Sequence, residues 1–168
     1  FQKDSIFINQ GSVIHIEEVK AELSGGIFYG NTIDLNFSCE EQELVTVIKH
    51  TPEHLKRIYS SFLANGMLSC KGNIKGLVSK TSNPALSMNC HINQGNFSLK
   101  SRPFILKNIS LDAAISNGDE RNFRQTKIEI TQFDAKTENG FIKGDFTIQN
   151  LNKYYLTANL NSSWDLAE

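Results

Sequence analysis

Apolar and polar residues alternate with a period of two in segment after segment of this chain. That repetition restricts its fold more than any motif does. Ile33, Leu35, Phe37 and Cys39 alternate with Asp34, Asn36, Ser38 and Glu40. Leu68, Cys70, Ile74 and Val78 share one parity, with Gly72 and Gly76 between them. Leu86, Met88, Cys90 and Ile92 oppose Ser87, Asn89, His91 and Asn93. Ile105, Ile109, Leu111, Ala113 and Ile115 form one face of a long strand, and Ile128 and Ile130 begin another. Ile142, Phe146 and Ile148, then Tyr154, Leu156, Ala158 and Leu160, complete the series. A period of two places each set on one face of a sheet.

The connections agree with strands. Asn117-Gly118 and Asn139-Gly140 predict tight hairpins, because both central positions of a type I′ turn need positive φ. Gln94-Gly95-Asn96 and Ser24-Gly25-Gly26 are weaker turn signals of the same kind. Ile14 and Ile16 share one parity and Val19, Ala21 and Leu23 the other, which predicts a bulge or break near Glu17-Glu18.

One segment departs from this pattern. Thr51-Pro52-Glu53-His54 reads as an N-cap, a proline at the first helical position and an acid in the first turn. Leu55, Ile58, Tyr59, Phe62 and Leu63 follow at helical spacing, and Asn65-Gly66 supplies a stop. The expectation is a helix over 52–63, packed on the sheet or lying on a membrane surface. A helix this short covers only part of a sheet of about nine or ten one-sided strands. At roughly 25 cal/mol per Å² of apolar area, leaving the remainder wet is expensive. The sheet must therefore curl over itself, pack on a second sheet, or receive an apolar partner. The expected fold is mainly β, one domain over 1–168, with a long antiparallel curved sheet forming a groove-like meander and one short α-helix. A compact sandwich is the alternative.

Charge narrows the function classes. Seventeen Lys and Arg stand against eighteen Asp and Glu, a net charge of −1, with no basic excess of the kind a general nucleic-acid binder carries. No apolar run approaches the ~20 residues of a membrane-spanning helix, and Phe1 to Ser5 do not read as a signal peptide.

A series of small signals runs through residues 67–168. Gly66-Met67-Leu68-Ser69 leads into Cys70-Lys71-Gly72-Asn73-Ile74-Lys75-Gly76, a strand entering an x-G-x-I-x-G segment. Asn83-Pro84-Ala85-Leu86-Ser87-Met88 opens the next strand, and Gln94-Gly95-Asn96-Phe97 follows it. Ile109-Ser110-Leu111-Asp112-Ala113 precedes Asn117-Gly118. Gly144-Asp145-Phe146-Thr147-Ile148-Gln149-Asn150-Leu151 runs on to Leu156-Thr157-Ala158-Asn159-Leu160 and the closing Trp164-Asp165-Leu166. In order and spacing these segments resemble the C-terminal region of the AsmA family of bacterial envelope proteins, the group that includes TamB and the bridge-like lipid transporters. The frequent Asn resembles a Bacteroidetes version. The resemblance implies a β-groove folded like a taco, apolar inside, in a periplasmic protein held at the inner membrane through a segment absent here. It further implies a part in phospholipid movement or outer-membrane homeostasis. The chain lacks the family's N-terminal membrane helix and is much shorter than full-length members, so the expectation is one segment of such a protein.

Residues that commonly carry chemistry are thinly spread. Cys39, Cys70 and Cys90 fall on apolar faces without a C-x-x-C element, and read as small buried hydrophobes, with a Cys70–Cys90 pair on neighbouring strands as the exception. His15, His50, His54 and His91 lie on separate elements and form no metal-ligand motif. Glu40-Glu41-Gln42-Glu43 reads as a solvated charge run. There is no G-x-S-x-G, P-loop or dinucleotide fingerprint. The expectation is therefore a non-enzymatic domain without cofactor. Its apolar trough would hold phospholipid acyl chains or dock on other segments of the parent chain or on envelope proteins. The candidate lining residues are Leu86, Met88, Ile109, Leu111, Ile130, Phe146, Ile148 and Leu156. The alternative is a structural or adhesin-like β-domain that binds protein through a sheet edge. A carbohydrate-active enzyme would need a close carboxylate pair in a polar cleft.

Overall fold

A computed structural model of the chain describes residues 5–50 and 60–164. Nine antiparallel strands follow one another in chain order across a single sheet. They are β1 (Ile6–Ile16), β2 (Val19–Phe28), β3 (Thr32–Glu43), β4 (Phe62–Leu77), β5 (Ala85–Leu99), β6 (Ile105–Ser116), β7 (Lys127–Lys136), β8 (Gly140–Gln149) and β9 (Tyr155–Trp164). The sheet is open: β1 and β9 are its edges, and it does not close into a barrel. One short helix, α1 (Leu44–Lys49), packs against β3 and β4.

The fold is thus the expected long, curved, antiparallel meander, and the one short helix among the described residues, α1, lies before the expected 52–63 segment. Its surface reflects a single layer. The accessible area is 11956 Å², against about 8,300 Å² for a compact chain of this mass. No large side chain among the described residues is fully buried.

Curvature is written into the backbone. Three consecutive strands, β5, β6 and β7, each carry an extra residue in the left-handed region: Gln94 (φ 50), Asn108 (φ 53) and Gln132 (φ 55). Such bulges bend a strand and increase its twist. They lie beside one another, so the bend continues from strand to strand. Against it packs the small core of the molecule: Leu106, Ile109 and Ala135, with Phe97, Phe104, Leu111, Phe133 and Ile142 around them.

Several local expectations change. The phase slip at Glu17-Glu18 is the β1–β2 turn itself, with Glu17 at φ 54 and Ile16 opposite Val19. Ser24-Gly25-Gly26 lies inside β2, and Gln94-Gly95-Asn96 inside β5. Asn117-Gly118 is not a two-residue hairpin. It opens a longer loop in which Asn117 Oδ1 accepts from Leu86 N and Asn117 Nδ2 donates to Pro84 O, both at 2.8 Å. The Asn139-Gly140 connection does join β7 to β8, but neither residue has positive φ, so it is not type I′. Ile105 leaves the face shared by Ile109 and Leu111, because the bulge at Asn108 inverts the phase and turns Leu106 inward. Residues 52–59 of the expected helix lie outside the described residues. Phe62 and Leu63, expected to end that helix, instead open β4, and Asn65-Gly66 is strand.

Candidate functional site

The register decides which side chains share a face, because direct cross-strand partners point the same way. From β3 the pairs Leu35↔Ile74, Phe37↔Gly72 and Cys39↔Cys70 carry the apolar set into β4. Ile74↔Leu86, Gly72↔Met88, Cys70↔Cys90 and Leu68↔Ile92 carry it into β5. Met88↔Ile115, Cys90↔Ala113, Ile92↔Leu111 and Gly95↔Ile109 extend it to β6. Ala113↔Ile130 and Ile115↔Ile128 reach β7, Ile130↔Phe146 and Ile128↔Ile148 reach β8, and Ile148↔Leu156 reaches β9. In the other direction Leu23↔Phe37 and Ile27↔Ile33 reach β2, and Ile6↔Ile27 and Ile14↔Ala21 reach β1. One apolar face therefore runs unbroken across all nine strands.

The eight candidate lining residues all lie on this face, but in different settings. Leu86, Met88, Leu111, Ile130, Phe146 and Ile148 are half-buried. Ile109 is buried in the core cluster at the bend, and Leu156 on the edge strand is 60% exposed. The face also contains residues not among those eight: the β3 set, already legible as an apolar alternation, and Phe97 and Phe133, which were not. Phe133 stacks edge-on to Phe146 at 5.1 Å, and Phe97 lies 5.1 Å from Phe62 and 6.5 Å from Phe104. Alternation concealed Phe97 and Phe133 because each follows a bulge and so changes parity. A wider signal was present in the Phe count, eleven, far above the single Trp.

Glycines on the face are covered by neighbours. A Cβ on Gly72 would meet the Phe37 ring at 2.7 Å, so the ring occupies the space that a side chain would need.

The opposite face is mixed: it carries exposed ion pairs together with a Phe7–Phe28 ring contact at 5.9 Å and Phe141 beneath Lys143. Lys75 Nζ lies 2.6 Å from Asp34 Oδ2, and Lys143 Nζ 2.6 Å from Asp134 Oδ2. Asn73 Nδ2 also donates to Asp34 Oδ1, at 3.1 Å. The hydrogen bonds from Lys75 and Asn73 hold the Asp34 carboxyl below its ordinary range. His91 Nδ1 sits 2.8 Å from Asp112 Oδ1 on this same face. His50 Nδ1 pairs with Glu17 Oε2 at 2.8 Å, joining the end of α1 to the β1–β2 turn, while His54 lies outside the described residues. No group of three or more His, Cys, Asp and Glu among the described residues is arranged to hold a metal ion. Nor is any helix among them long and apolar enough to cross a membrane.

No protein-family model, curated protein or solved structure matches the chain. The functional reading therefore rests on the geometry of the face.

Proposed function

We propose that this domain is a non-enzymatic segment of a cell-envelope protein whose apolar β-face holds phospholipid acyl chains, in lipid transport or outer-membrane homeostasis. The observation that carries the reading is the unbroken apolar face of nine strands, over which the described residues place no second layer. A ten-residue strand is about 33 Å long, so the face is deep enough for two acyl chains end to end, each near half the ~30 Å hydrocarbon thickness of a bilayer. Chains lying against Met88, Ile130, Phe146 and Ile148 would be stabilised by about 0.8 kcal/mol per buried CH₂. Headgroups would stay in water at the rim. The opposite face, with its ion pairs, would stay hydrated.

The test is extraction of the purified, folded domain and mass spectrometry of what it carries, beside an Ile130→Asp/Phe146→Asp variant. Phospholipid at or above one molecule per chain, reduced at least fivefold in the variant with strand content kept, supports the reading. A lipid-free native domain that also takes up none from phospholipid vesicles sinks it.

A second reading has its own observation. Edge strand β9 is ten residues long, contains no charge and no proline, and pairs with β8 without a register shift. Natural edges are usually guarded by charge, proline or a bulge, and β1 does carry a bulge between Ile8 and Ser12. β9 is thus the edge fitted for strand addition by a protein partner. Partner binding that survives delipidation but is lost in Thr157→Lys/Asn159→Lys would favour this reading over lipid carriage.

A further inference from the structure

Cys39, Cys70 and Cys90 are far apart in sequence but stand in one row across β3, β4 and β5. Cys39 is the direct partner of Cys70, and Cys70 of Cys90. All three are free thiols on the apolar face. Direct antiparallel partners have Cα atoms ~4.5–5.5 Å apart, inside the ~4.4–6.8 Å range that a disulfide spans. Cys39 and Cys90 are two strand spacings apart, roughly 9.5 Å, which a disulfide cannot bridge without moving the backbone. Only the central cysteine can pair, and it has two partners.

We propose that these residues form a redox site in which Cys70 is disulfide-bonded to one neighbour at a time and the bond passes between them. The oxidant class is a small-molecule disulfide such as oxidised glutathione. Cys90 and Cys70 are half-buried and open the reaction, whereas Cys39 is only 7% exposed and enters by exchange. The Cys90 thiolate attacks one sulfur of the oxidant, the S–S bond breaks, and one glutathione leaves as thiolate. Cys70, its proton given to solvent, then attacks Cys90 Sγ and expels the second glutathione. Two protein thiols have lost two protons and two electrons, and one glutathione disulfide has become two glutathiones. The Cys39 thiolate can next attack Cys70 Sγ and release Cys90 as thiolate, with no net oxidation.

The hydrogen bond from Cys70 holds the Cys90 thiol below its ordinary pKa despite burial, and that bond together with burial pushes Cys70 up. Burial pushes Cys39 up, and its thiol donates to Lys20 O at 3.4 Å. The thiolate is the reactive form, and the half-buried Cys70 and Cys90 meet the oxidant before the buried Cys39. His91 and Asp112 project from the opposite face and take no part.

The three cysteines fall on separate tryptic peptides, 21–49, 58–71 and 81–100. The native full chain is incubated with oxidised glutathione, blocked with N-ethylmaleimide at intervals, and digested without reductant for mass spectrometry. The expected result is a 58–71/81–100 link first, then a 21–49/58–71 link that grows as the first declines after the oxidant is removed. No 21–49/81–100 link should form. Cys39→Ser should keep the first link, Cys90→Ser should give the second alone, and Cys70→Ser should give neither, leaving glutathione on Cys90. A 21–49/81–100 link in the native chain overturns the proposal. So does an absence of links under conditions that oxidise the urea-unfolded chain, or a first link that never exchanges.

Discussion

Ile109 and Leu156 lie on the same face but should respond by very different amounts to truncation. Ile109 is buried against Leu106 and Ala135, so Ile109→Ala removes packed methylenes and leaves a cavity, costing about 3 kcal/mol. Leu156 is 60% exposed, and its truncation should cost under about 0.5 kcal/mol. Urea unfolding followed by circular dichroism distinguishes the two. Gly144 (φ +154) is constrained by close approach: a Cβ there would overlap the carbonyl oxygen of Asn159 on β9. Gly144→Ala should cost about 2–3 kcal/mol by the same measurement. Asp34 sets an acid limit. Its folded pKa lies below the ordinary value of 3.8, so its ion pair stabilises the sheet above that pH and the contribution is lost as pH falls through the folded pKa. The Asp34 side chain is 36% exposed and its pair is screened by solvent, so the effect is small. Asp34→Asn should flatten the pH dependence of the urea midpoint below pH 4, and an unchanged slope would contradict the assignment.

At the scale of elements, alternation made the strands legible wherever it ran without interruption, as from Ile33 to Cys39 or from Leu86 to Ile92. It failed at the bulges. An extra left-handed residue at Asn108 puts Leu106 and Ile109 on one face although their separation is odd, and Ile105 is left outside. No local pattern announces this, because Asn and Gln tolerate positive φ without requiring it. Asn-Gly pairs misled for a related reason. At Asn117 the side chain bonds to the backbone of Pro84 and Leu86, so a tertiary contact determined the loop. Helix α1 was hidden because Val45, Thr46, Val47 and Ile48 are β-branched residues that favour strands. If the aligned bulges bend the sheet, residues poorly suited to that backbone should weaken it. Asn108→Val should lower stability by about 1–2 kcal/mol and Asn108→Gly should not, because a β-branched side chain clashes in the left-handed region. Equal midpoints for the two variants would remove the bulge from the account.

For the whole molecule, the arithmetic of one-sided strands against one short helix anticipated the decisive property: the described residues make more apolar face than they cover. The eight candidate residues were legible as a set because each sits in a run of alternation, which in β6 holds only from Ile109 onward. Their division into core and open face was not, since it depends on where the sheet bends. On the proposed reading, acyl chains cover the apolar side of this single layer. The most direct measurement uses a phospholipid with a photoactivatable diazirine in its acyl chain, presented in vesicles to the native chain, irradiated, and mapped by peptide. The account predicts labelling concentrated on Met88, Ile130, Phe146 and Ile148, with Lys75, His91 and Lys143 on the opposite face unlabelled. Equal labelling of both faces, or none above a water-soluble diazirine control, would contradict it.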